Sequence, residues 1–146
     1  MPNNTDHLPA RIQARLLGRG SARLSHADLE RLFRGQELTP ARKHWLAKCR
    51  RIVATWGDRV VGMAAYRQVD GEFRVLEFGL DAERICCPAH VADALLESIE
   101  LGCLAAGGRR VVLTPRAIAA AAVLKERHYA TVTEGCAGAW FEKSLP

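Results

Sequence analysis

Two stretches of this chain carry residue types suited to chemistry: a carboxylate between apolar neighbours, Leu76-Glu77-Phe78, and a helix start, Cys86-Cys87-Pro-Ala-His90-Val-Ala92. A carboxyl group flanked by apolar side chains holds protons more tightly than one in water, which suits it to take a proton from an ammonium. The unpaired amides and positive dipole end of a helix form a seat for an anion such as a phosphate. Pro88 removes one of those donors, and a positive φ at His90, if the turn required it, would cost roughly 1 to 2 kcal/mol relative to glycine. The dipole remains, worth about 0.3 to 1 kcal/mol to a nearby anion, and a protonated His90 would add charge to it. Both stretches also have plainer readings. His90 can be a surface residue on an ordinary helix start, and Glu77 can lie on a wet face or pair with Arg67 or Arg74 across a hairpin.

The remaining chemistry-bearing residues are scattered. The five cysteines, Cys49, Cys86, Cys87, Cys103 and Cys136, form no C-x-x-C pair and have no histidine at finger distance, so no metal site is expected. They read as reduced, mostly buried thiols, although a helix dipole beside Cys86 and Cys87 would favour their thiolates. His26, His44 and His128 have no carboxylate at useful spacing and read as structural. The net charge of +5 belongs to the N-terminal third, where residues 1–51 hold 11 Lys and Arg against 4 Asp and Glu. Those arginines alternate with apolar positions and have no aromatic platform among them. That pattern argues against nucleic acid as a partner and for a solvated basic face or a wall attracting an anionic ligand. No apolar run approaches the roughly 20 residues of a membrane span, and the N-terminus lacks the basic-then-apolar order of a secretory signal. A cytoplasmic protein without a membrane partner is the expectation.

At 146 residues and 49% hydrophobic, the chain suits one domain with its own core, with residues 1–10 as a flexible N-terminal tail. Ile12, Ala14 and Leu16 alternate with polar residues as a first strand, and a loop follows from Gly18 to Leu24. Ser25 with Asp28 three residues on caps a helix carrying Leu29, Leu32 and Phe33, which Gly35 stops. Thr39-Pro40 opens a second helix whose buried side is expected to be Ala41, Trp45 and Cys49, with Trp45 and Trp56 as core anchors. Strands at 51–56, 60–69 and 72–80 follow, the last two joined by Asp70-Gly71, a strong hairpin signal. Alternation in the third of these puts Phe73, Val75 and Glu77 on one face and Leu76, Phe78 and Leu80 on the other.

A helix from Pro88 to about Ala106 carries the stripe Val91, Leu95, Ile99 and Gly102 and ends at Gly107-Gly108. A buried strand at 109–114, a helix from Ala117 to about His128 opened by Thr114-Pro115, and strands at 130–133 and 139–145 complete the chain. Strand, helix, strand over 72–114 requires one parallel crossover, right-handed by the usual chirality. The fold class is therefore α/β in the broad sense (α+β): a mixed, mostly antiparallel sheet with one βαβ crossover and helices on both faces.

That element order resembles the GNAT superfamily of acyl-CoA-dependent N-acyltransferases over 12–145. Arg59-Val-Val-Gly-Met-Ala-Ala-Tyr66 is similar to the family's third strand, Ala94-Leu-Leu-Glu-Ser-Ile-Glu100 to the body of its cofactor helix, and Trp140-Phe-Glu-Lys-Ser-Leu145 to its closing strand. The resemblance implies an N-acyltransferase that moves an acyl group, acetyl for preference, from acyl-CoA to an amine on a small molecule or protein. It implies Glu77 as the base, pantetheine along the strand at Phe78, Gly79 and Leu80, and the pyrophosphate at Cys87, Ala89, His90, Val91 and Ala92. It further implies an acceptor pocket framed by the first two helices, within reach of Arg42 and Trp45, and dimers through the last strands.

The family's Gln/Arg-x-x-Gly-x-Gly/Ala turn falls on Cys87-Pro-Ala-His90-Val-Ala92, where only Ala92 conforms. Its tyrosine acid falls on Leu124, and its Gly-Phe ending on His128-Tyr129. Tyr129 reads as core with its hydroxyl satisfied. A GNAT-fold ligand-binding or protein-interaction module without catalysis is the alternative that these departures leave open.

Overall fold

A computed structural model describes residues 12–17, 25–34, 39–57, 59–81, 88–113, 121–133 and 139–146. The expected tail, the loop 18–24, Gly35, the three cysteines Cys86, Cys87 and Cys136, and the Thr114-Pro115 cap lie outside the described residues. The elements run β1 (Ile12–Leu17), α1 (His26–Leu32), α2 (Pro40–Lys48), β2 (Arg50–Trp56), β3 (Arg59–Val69), β4 (Glu72–Leu80), α3 (Pro88–Ala105), β5 (Arg110–Leu113), α4 (Ala121–Glu126), β6 (Ala130–Thr133) and β7 (Ala139–Ser144).

Local chemistry accounts for most of these boundaries. Ser25 accepts a hydrogen bond from the Asp28 amide at 3.1 Å and the Asp28 carboxylate accepts one from the Ser25 amide at 3.3 Å, closing the capping box that starts α1. Thr39 accepts from the Arg42 amide at 3.1 Å, with Pro40 behind it, to start α2. At the β3–β4 hairpin Asp70 has φ 21° and Gly71 φ 77°, the two positive values that a tight turn matching the strand twist requires.

The sheet has seven strands in the order β1-β2-β3-β4-β5-β7-β6. Every pairing is antiparallel except β4 with β5, which lie parallel on either side of the α3 crossover. Two apolar clusters flank it. The larger joins α3 and α4 to one face through Ile52, Val75, Phe78, Leu95, Ile99, Val111 and Val123. The smaller joins α1 and α2 to the other through Leu29, Leu32, Phe33, Leu46, Val53 and Met63. The expected stripe Val91, Leu95, Ile99 and Gly102 is buried on α3, and at roughly 1.5 to 3 kcal/mol for each large apolar side chain it is what holds the crossover on the sheet.

α2 differs from the expectation. Leu46 is fully buried, whereas Trp45 is 38% exposed and Ala41 is exposed. Ala41 and Trp45 face solvent because the nine-residue helix turns Arg42 and Leu46 toward the sheet, one position round from the face that the apolar residues suggested, while Cys49 at its C-cap packs against the smaller cluster as expected. Trp56 packs against the larger cluster, as an anchor should.

On the α3–α4 side a carboxylate sits inside the fold. Glu100 accepts from Arg127 Nε at 2.9 Å, Lys143 Nζ at 2.6 Å and the Tyr129 hydroxyl at 3.1 Å, and Arg127 also reaches Asp93 at 2.8 Å. Burial would raise the Glu100 carboxyl, but the hydrogen bonds and charges of Arg127 and Lys143 outweigh it and hold the group below its usual value of 4.5. Burial in turn pushes the Tyr129 phenol up, and the adjacent Glu100 charge pushes it the same way. Tyr129 is thus a core residue with its hydroxyl satisfied. His128 before it has φ 69°, taking the left-handed position that ends α4.

Candidate active site

One extra residue in β4 decides the geometry of the candidate site. Ala65 pairs with Glu77 but Tyr66 pairs with Val75, so Leu76 is a bulge and the alternation of faces restarts after it. Phe73, Val75 and Phe78 all belong to the α3 side, while Glu77 turns to the α1–α2 side. The period-two expectation that grouped Glu77 with Phe73 and Val75 is overturned by that single inserted residue. Gly79 shares the new face: a Cβ there would lie 2.9 Å from Phe33 Cζ and 3.0 Å from the Leu32 carbonyl oxygen, so α1 rests on bare backbone.

The bulge also marks where β4 and β5 part. Their described pairing runs from Glu72 with Arg110 to Val75 with Leu113. Past it, β4 continues to Leu80 along β3, and among the described residues no strand pairs with its other edge at 76–80. That edge leads toward the first turn of α3. There Pro88 is half-buried, Ala89 and His90 are exposed, and Val91 and Ala92 are fully buried. His90 has no positive φ, so the turn carries no such strain at that position. Val91 and Leu95 press on β3 at Gly62, where a Cβ would meet them at 2.6 and 3.0 Å. Cys87 lies outside the described residues.

The Glu77 side chain is only 4% exposed, and its Oε2 accepts from Arg42 Nη2 of α2 at 2.7 Å. This is an ion pair, as one reading of Glu77 held, but with a different partner: Arg74 instead engages Glu72, and Arg67 is exposed. The reason is again the bulge, which turns Glu77 toward α2. The Arg42 guanidinium also lies over the Phe33 ring, 5.7 Å from its centroid. Four residues on, Asp81 is buried on the same side of the sheet and accepts from Arg31 Nη1 of α1 at 3.3 Å, while Arg31 also pairs with Asp28. Glu77 in β4 and Asp81 just past its end are therefore each met by an arginine from one of the two N-terminal helices.

Asp81 and Arg31 escaped sequence reasoning, although Glu77, Gly79 and Asp81 at intervals of two carry the signal once the bulge is known. Glu100 could have been found directly, since Leu96, Glu100 and Cys103 lie at i, i+4 and i+7 on the apolar face of α3. Of the N-terminal arginines, Arg31 and Arg42 engage carboxylates and Arg51 is 3% exposed, so these three turn inward rather than forming a basic outer face. Leu124, on which the resemblance placed the family's acid, is 2% exposed within the core. Among the described residues there is no group of three or more His, Cys, Asp or Glu that could hold a metal ion, and no helix is long and apolar enough to cross a membrane.

The fold is that of the GNAT superfamily. It is similar to the N-acetylglutamate synthase of Neisseria gonorrhoeae, solved with coenzyme A and N-acetyl-glutamate, at TM-score 0.68 and 12% identity over 94% of this chain and 36% of that one. It is similar to the ribosomal-protein-S18-alanine N-acetyltransferase of Escherichia coli at TM-score 0.62 and 16% identity, over 92% and 94% of the two chains. The PaiA N-acetyltransferase of Thermoplasma acidophilum, solved with coenzyme A, aligns at TM-score 0.61 and 12% identity over 92% and 99%. No family model matches the sequence, and no curated protein matches it. At these identities the likeness is one of fold.

Proposed function

We propose that this protein is an N-acyltransferase that moves an acyl group, acetyl for preference, from acyl-CoA to a primary amine. The observation that carries the reading is the bulge at Leu76. It puts a buried carboxylate, Glu77, on the face under α1 and α2 and leaves the edge Phe78-Gly79-Leu80 beyond the end of the β4–β5 pairing. The solved neighbours complexed with coenzyme A share this fold, which favours acyl-CoA as the co-substrate.

In this reading the backbone of Phe78, Gly79 and Leu80 pairs with the pantetheine amides as a neighbouring strand would. The pyrophosphate takes the tip of α3. Pro88 brings no N–H, so the amides of Ala89 and His90 are the described donors there, and Val91 and Ala92 seat the turn on the sheet. Glu77 accepts a proton from the acceptor's ammonium; the freed nitrogen attacks the thioester carbonyl, the C–N bond forms and the C–S bond breaks. The nitrogen's second proton is lost to water, and water protonates the departing thiolate in place of the tyrosine that Leu124 replaces. We place this activity in the cytoplasm, where acyl-CoA is met.

Thermal shift with acetyl-CoA tests the reading on wild type and on His90→Glu. Acetyl-CoA at about a hundredfold over its Kd stabilises wild type by about 2.7 kcal/mol. The added negative charge at position 90 should remove most of that shift. Calorimetry that detects no acetyl-CoA binding to wild type would sink the proposal. Binding without turnover toward any amine would instead establish the non-catalytic ligand-binding module, the reading that the buried Leu124 favours.

A further inference from the structure

The Glu77 carboxylate is buried and already carries a cation. A base must meet the ammonium it deprotonates at hydrogen-bond distance, and that place on Oε2 is taken by Arg42 Nη2 at 2.7 Å. We infer that Arg42 is a resident stand-in for the acceptor: the acceptor binds as a protonated alkylamine that displaces the Arg42 guanidinium from Glu77, and α2 moves off β4 as it enters. This rests on Glu77 being the base of the proposed transfer.

Two observations support it. A neutral newcomer that pushed Arg42 aside would leave a buried carboxylate without a counter-charge, which is strongly unfavourable, whereas an ammonium replaces one cation by another. Alcohols and aromatic amines, uncharged at neutral pH, are thereby disfavoured as acceptors. Second, α2 is lightly anchored. Among its described side chains Leu46 is the fully buried one, against Leu29, Leu32 and Phe33 at α1 and eight buried residues on α3. Pro40, Ala41, His44 and Trp45 of the same helix are exposed. Besides Leu46 and the Arg42–Glu77 pair, the described contacts of α2 include the half-exposed Lys43–Glu30 pair, so exchanging the buried pair lowers the cost of local opening. Arg42 is then a gating residue and Glu77 the catalytic one.

Hydrogen exchange resolved by peptide reads this out without any need for turnover. In Arg42→Met the amides of 40–48 should exchange about tenfold faster than in wild type while those of α3 do not change, and Arg42→Lys should restore part of the protection. In wild type, n-butylammonium should produce the same loosening of 40–48, and n-butanol and aniline should not. If n-butylammonium leaves exchange at 40–48 unchanged, or n-butanol loosens it equally, the exchange of cations is refuted. Wild type that consumes acetyl-CoA with n-butylamine while 40–48 stays protected refutes the gate and spares the transferase. Loosening by n-butylammonium in a protein that does not bind acetyl-CoA does the reverse.

Discussion

Glu100→Gln is the substitution whose cost the structure specifies in most detail. The carboxylate accepts three hydrogen bonds from Arg127, Lys143 and Tyr129, and its side chain is 10% exposed. Removing one member of a buried pair costs about 3 to 5 kcal/mol when the remaining charge is sealed from water. Here the partners can recover some hydration, since the Arg127 and Lys143 side chains are 20% and 19% exposed, and Arg127 keeps Asp93. The amide also retains one acceptor oxygen. The expected loss is therefore about 2 to 3 kcal/mol, or a fall in Tm of about 6 to 10 °C for a chain of this size.

The pH dependence carries a definite sign. The folded carboxyl lies below the usual 4.5, so its contribution is fully present above that value and disappears as pH falls through the lower folded one. Differential scanning calorimetry should show the full gap between wild type and variant at neutral pH and a narrowing gap below about pH 4.5. Glu72 is also held low: burial raises it, but hydrogen bonds from Arg74 and Arg110 prevail, and since it is present in both proteins it cancels from the comparison. A variant within about 2 °C of wild type at neutral pH, or a gap that persists undiminished in acid, would refute the reasoning.

Four further substitutions test other parts of the fold. Leu46→Ala should cost about 2 to 4 kcal/mol in chemical denaturation and Trp45→Ala under about 1, an order that reverses if the apolar-spacing face of α2 were the buried one. Gly79→Ala should cost about 1 to 3 kcal/mol, because the new methyl group meets the Leu32 carbonyl oxygen and the Phe33 ring; an unchanged urea midpoint would contradict so close a contact. His128→Gly should stabilise by about 1 kcal/mol, visible as a higher Tm, because glycine takes the positive φ at that helix end without strain.

The elements and their order were legible in the sequence because the signals that set them act within a few residues. Ser25 with Asp28, Thr39 with Pro40, and Asp70 with Gly71 satisfy or bend their own neighbouring backbone, so their effect travels with the residues themselves. The stripe from Val91 to Gly102 likewise follows from helical spacing, and it requires the crossover that makes β4 and β5 parallel. The tertiary structure alone decided which face each charge meets. The bulge at Leu76 arises from the register of β4 against β3, a choice with no compositional mark of its own, and it reverses the side to which Glu77 points. The partners of Glu77 and Glu100 stand 35 positions away on α2 and 27 to 43 positions away around α4 and β7. A chain of arginines and carboxylates permits many such pairings, and only the packing of helices on both faces of one twisted sheet selects among them.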